Sequence, residues 1–145
     1  MIVLFKSGLQ QILPELFDTI VVPEQVFDEV RAGSDALSKA ITTYNWLDIE
    51  HVALNENILE WNLGRGETAV ISYALENTDF RVVIDDKAAR KCAKTSSVKI
   101  LGTGHLLVLS VRQGLIEDFD TAFTELKKSG FWISDKLYKI LKSKI

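Results

Sequence analysis

The sequence predicts an α/β fold, a mostly parallel sheet of about four strands flanked by helices. Three observations carry this: β-branched runs alternate with helix-period stripes, the runs show no polar alternation, and turn residues separate the two kinds of segment. DTIVVP (Asp18 to Pro23) is a short strand closed by proline, and EQVFDEV continues with Val26, Phe27 and Val30 at helical spacing. After a less regular stretch, GETAVISYALEN places Val70, Ile71, Ala74 and Leu75 on one helical stripe, and RVVIDD follows as a strand covered on both faces. KAARKCAK reads as a short helix, VKIL (Val98 to Leu101) as a strand, and GTGHLLVLSVRQG as a glycine-rich turn into a helix ended by Gly114. DFDTAFTELKKSG puts Phe119, Ala122, Phe123 and Leu126 on one face and stops at Gly130. FWIS reads as a last strand, and Ser134 caps the terminal helix DKLYKILKSKI.

A chain of 145 residues, 47% hydrophobic and 26% charged, suits a single domain spanning residues 1–145 with one core. The net charge of −3 supplies no global basic field, so any nucleic-acid contact is a local patch. One cysteine, Cys92, excludes an intramolecular disulfide and a cysteine zinc cluster. With no basic leader before an apolar stretch and no run of roughly 20 apolar residues, the expected location is the cytoplasm, away from membranes.

In a parallel sheet, side chains beyond the carboxyl ends of the strands line the ligand crevice. Asp85 and Asp86 stand at such an end, where two carboxylates need a neutralising cation or basic group. Equally, one of them caps the KAARKCAK helix and the other is solvated. Glu67 opens a helix after Gly64, Arg65 and Gly66, a place the helix dipole favours without any function. Glu29 borders the Val26/Phe27/Val30 stripe, reaching a cleft or marking the solvent boundary. Gly102 to Gly104 can offer backbone N–H groups and the Thr103 hydroxyl to an anion or a metal-bound water, or be a tight turn alone. Arg65, Lys87, Arg90, Lys91 and Lys94 flank the same region as RNA-phosphate contacts or as a solvated helix face. His105 at a helix start fits an ordinary hydrogen bond better than acid–base work, and Cys92 fits the core better than a nucleophile's role.

The succession VVPEQVFDEV, GRGETAVISYA, RVVIDDKAARKCA, VKILGTGHLLVLSVRQGLI and LKKSGFWISDKL resembles the PIN-domain ribonucleases, in particular their VapC-like toxin homologues. The resemblance covers nearly the whole chain. It implies a three-layer α/β/α sandwich whose acidic side chains hold Mg²⁺ or Mn²⁺ at the sheet's carboxyl edge to cleave RNA. It makes Glu29, Glu67 and Asp85 the metal ligands, Asp86 an auxiliary acid, and Thr103 the Ser/Thr near the metal. His105 stands where that branch more often carries a small residue.

One departure matters. The family opens with a strand ending in a ligand aspartate, and MIVLFKSGLQQILPELF aligns instead with the helix after it. The lost strand is central in the family's sheet, so its absence opens a gap between DTIVV and RVVI. Three repairs are open: MIVLF forms a replacement strand, the flanking strands pair directly, or a second chain supplies cover. A start codon assigned downstream of the true one also accounts for the sequence. Two functional readings follow, with single-stranded RNA, an antitoxin protein and a homodimer partner as expected contacts. One is a metal-dependent endoribonuclease acting as the toxin of a toxin–antitoxin pair. The other is a catalytically inactive module that binds an antitoxin or itself. A receiver-type or phosphoryl-transfer α/β domain stands behind both, because it leaves the GET and GTG segments without a role.

Overall fold

The computed structural model describes residues 1–145, and they group into two compact units, Thr19–Leu101 and Met1–Asp18 with Gly102–Ile145. The first unit contains every strand. β1 (Ile20–Pro23) leads into α3 (Glu24–Gly33) and α4 (Asp35–Thr42), then returns as β2 (Leu47–Glu50), parallel to β1 with Ile20 opposite Leu47. A short α5 (Glu56–Leu59) and α6 (Arg65–Glu76) follow. β3 (Val82–Val83), α7 (Lys87–Thr95) and β4 (Ile100–Leu101) form a second parallel pair, Val82 opposite Ile100. The chain is therefore α/β with parallel strands. Its four strands form two separate two-stranded sheets, β1–β2 and β3–β4, in place of one sheet of about four.

The physical reason lies at the inner edges. α6 packs against both β1 and β3, so strands of the two sheets share one covering helix. Yet β1 pairs only with β2, and β3 only with β4. In a parallel ladder alternate residues direct their backbone groups to opposite sides. The N–H groups of Val82 and Ile84 reach Lys99 and Leu101 on the β4 side at 2.9 and 3.3 Å, which turns those of Val83 the other way. β1 and β3 do not pair with each other. MIVLF makes no replacement strand either, because Ile2–Lys6 form helix α1 with Leu4 and Phe5 buried.

Helix ends follow local chemistry. The Asp86 carboxylate accepts from the Ala89 N–H at 2.8 Å and caps α7. The helix closes at Ser97, whose φ of 58° is left-handed, with Ser97 N–H on Lys94 O and Val98 N–H on Ala93 O. The core of this unit gathers Ile71 and Ala74 of α6, Val82 and Ile84 of the β3 segment, and Ala89, Cys92 and Ala93 of α7. Cys92 is fully buried, and that burial pushes its thiol pKa up, as a core residue requires.

The other unit is helical: α1, α2 (Ile12–Leu16), α8 (Thr103–Arg112), α9 (Phe119–Lys128) and α10 (Asp135–Lys142). Gly114 and Gly130, at φ 74° and 97°, end α8 and α9 as the sequence predicts. α10 approaches α8 closely enough that a Cβ on Gly104 would stand 2.5 Å from the Leu141 side chain. Phe119, Phe123, Phe131 and Tyr138 form an aromatic cluster between α9 and α10. FWIS is not a strand. Phe131 turns into that cluster, Trp132 faces solvent, and the Ser134 hydroxyl accepts from the Leu137 N–H at 3.2 Å to cap α10.

Candidate functional site

The N-terminus of α6 is where two of the three predicted acids meet. Its first turn leaves backbone N–H groups without intrahelical partners. Glu67 reaches back to accept from the Gly64 N–H at 3.1 Å, and Thr68 closes the turn by donating from its hydroxyl to the Gly64 carbonyl at 2.9 Å. Glu29 arrives from α3, 37 residues earlier, and accepts from the Gly66 N–H at 2.8 Å. Both carboxylates converge on one place: a Cβ built on Gly64 would lie 3.2 Å from Glu67 Oε2 and 3.7 Å from Glu29 Oε1.

Glycine is what permits the approach. A Cβ on Gly66 would sit 2.6 Å from Glu29 Oε2 and 3.1 Å from Val26 Cγ2, so no larger residue fits with the present carboxylate position. Neither carboxylate is in an ion pair, and each is aimed by a backbone amide at the start of α6. The sequence exposes the GRGE spacing but not the Glu29–Gly66 contact, which depends on how α3 packs on α6.

The remaining predicted residues have other places. Asp85 is exposed just beyond β3. Asp86 spends one oxygen on the α7 cap, the outcome the dipole argument anticipates for one of the pair. Thr103 is fully buried in the first turn of α8, in the helical unit. Arg90 is half-buried and donates from Nη1 to the Ile84 carbonyl at 2.9 Å, which ties its guanidinium to the end of β3. Arg65, Lys87, Lys91 and Lys94 are exposed.

Fit to a metal can be judged from this donor set. No group of three or more His, Cys, Asp or Glu side chains stands close enough to hold an ion, so Glu29, Glu67 and Asp85 do not make a closed three-acid cage. The Glu29–Glu67 pair fits a less demanding role. Mg²⁺ and Mn²⁺ prefer carboxylate oxygen, and Mg²⁺ in particular is commonly held by one or two carboxylates while keeping several waters. No helix is long and apolar enough to cross a membrane.

No curated protein and no solved structure matches the chain. A family profile described as a PIN domain matches it across residues 1–145. With that match over its whole length, and with parallel strands joined by crossover helices, the chain belongs to the PIN-domain family.

Proposed function

We propose that this protein is a PIN-type, Mg²⁺- or Mn²⁺-dependent endoribonuclease acting on single-stranded RNA, the toxin of a toxin–antitoxin pair in the cytoplasm. The observation that carries the reading is the convergence of Glu29 and Glu67 at Gly64–Gly66. PIN domains typically bind divalent metals. Glu29 and Glu67 would hold the ion, with waters completing its shell. When bound, such an ion supplies an activated water and offsets charge on the attacked phosphate. The protein's own part is positioning: the Gly64 and Gly66 amides fix one oxygen of each glutamate and so orient the rest of the carboxylate. Arg65, Lys87, Arg90 and Lys91 lie near the acids in sequence and would meet RNA phosphates.

A second reading is a PIN-like module that binds an antitoxin or a second copy and no longer cuts. The specific observation favouring it is that three acids do not gather. The unpaired inner edges of β1 and β3 favour a homodimer in which a second copy covers them, since an isolated two-stranded sheet is marginal in water. A cleavage assay separates the two readings. Wild-type protein with Mn²⁺ should cut a single-stranded RNA, Glu67→Gln should lose at least about tenfold, and a folded wild-type protein that leaves RNA intact at millimolar Mn²⁺ would establish the non-cutting module.

A further inference from the structure

Charge is unevenly spread. The whole chain carries −3, yet residues 127–145 hold six lysines, Lys127, Lys128, Lys136, Lys139, Lys142 and Lys144, against one acid, Asp135. Lys128 and Lys142 are in ion pairs with Glu125 and Asp120, at 2.7 and 2.5 Å. The other four are exposed and outside every ion pair. Between them, on the segment joining α9 to α10, stands Trp132 with 78% of its surface exposed. An exposed aromatic ring flanked in sequence by unpaired cations is the combination that single-strand binding surfaces use.

We infer that the end of α9, the connection through Trp132 and the outer face of α10 bind single-stranded RNA, with Trp132 as a stacking platform and Lys127, Lys136, Lys139 and Lys144 as phosphate contacts. This rests on RNA being the substrate class proposed above, and it names a surface remote in sequence from Glu29 and Glu67. A base has a π-face whatever its identity, so one exposed ring with flanking lysines holds a flexible strand without reading its sequence. The same residues suit an anionic bilayer less well. α10 has eight residues, about 12 Å of helix. It turns Leu141 inward to 1% exposure and ties Tyr138 to Asp120, leaving Leu137 and Ile140 only 38% and 42% exposed. Interfacial helices bury a broader apolar face than that.

The test is fluorescence anisotropy with a labelled oligouridine RNA of about 12 nucleotides, a length within the range of single-strand sites. EDTA is present so that binding is read without cleavage. Trp132→Ala should weaken binding at least about fivefold, with Trp132→Phe retaining most of it. Lys136→Gln with Lys139→Gln should also weaken it and reduce the log–log salt slope by about 0.7 per lost phosphate contact. Both sites are exposed, and far-UV circular dichroism should confirm that every variant folds. Unchanged RNA affinity in Trp132→Ala and in the lysine variant would overturn the inference. So would Trp132-dependent binding to phosphatidylserine–phosphatidylcholine vesicles by a protein that ignores the RNA. RNA bound in EDTA through Trp132 but uncut in Mn²⁺ keeps this surface and removes the nuclease reading. RNA cut in Mn²⁺ with affinity indifferent to Trp132 and the lysines does the reverse.

Discussion

The Glu29 carboxylate accepts a hydrogen bond from the Gly66 N–H at 2.8 Å, joining α3 to the open first turn of α6. It places Glu29 beside Glu67, which is already anchored on Gly64 of the same turn. The shape of the site therefore depends on a residue without a side chain.

Gly66→Ala tests that dependence. The added methyl meets Glu29 Oε2 at 2.6 Å and Val26 Cγ2 at 3.1 Å, so the carboxylate must leave or α3 and α6 must part. Overpacking of this kind costs about 1–3 kcal/mol, and chemical denaturation should show it. Mn²⁺ affinity should fall with it, and a stable variant with unaltered affinity would show that Glu29 does not hold the ion.

Asp86 closes the RVVIDD segment but works for the helix after it. Its carboxylate caps α7 through the Ala89 N–H at 2.8 Å. Asp86→Ala should cost about 1 kcal/mol, and Asp86→Ser should recover most of it, since serine caps almost as well. Thermal melts of the three proteins check both statements.

pH dependence has a defined origin in α9 and α10. The Lys142 ammonium, then the Tyr138 hydroxyl, hold the Asp120 carboxyl below its usual range, and Asp120 in turn raises both Lys142 and Tyr138. A depressed carboxylate contributes stability above its unfolded pKa, about 3.9, and loses it as pH falls through the lower folded value. The raised Lys142 and Tyr138 contribute below about pH 10 and lose that contribution as pH rises through their folded values. The stability gap between wild type and Asp120→Asn, followed by urea midpoint, should be constant between about pH 5 and 9 and close at the acid end.

Much of this architecture is legible in the sequence because it is local. The Val26/Phe27/Val30 and Ile71/Ala74 stripes become α3 and α6, Gly114 and Gly130 end α8 and α9, and Ser134 caps α10. LDIE escapes because only Leu47 of β2 is buried, so no apolar run marks it. FWIS misleads in the other direction. Its apolar residues serve the aromatic cluster and the surface, and the segment between Gly130 and the Ser134 cap has no strand to pair with. The acids follow the same division. Asp86's cap and Glu67's helix start are near-neighbour effects, whereas the meeting of Glu29 with Gly66 spans 37 residues and requires α3 packed on α6. The split of four strands into two sheets is likewise a matter of long-range pairing, which strand propensity does not encode.

The divalent-cation site proposed at the start of α6 stands on Glu29 and Glu67. Isothermal titration of Mn²⁺ into wild type, Glu29→Gln and Glu67→Gln addresses it directly. The wild type should bind Mn²⁺, and binding should weaken at least about tenfold in each variant. Wild-type binding that both variants retain, or no wild-type binding at millimolar Mn²⁺ in a folded protein, would contradict it.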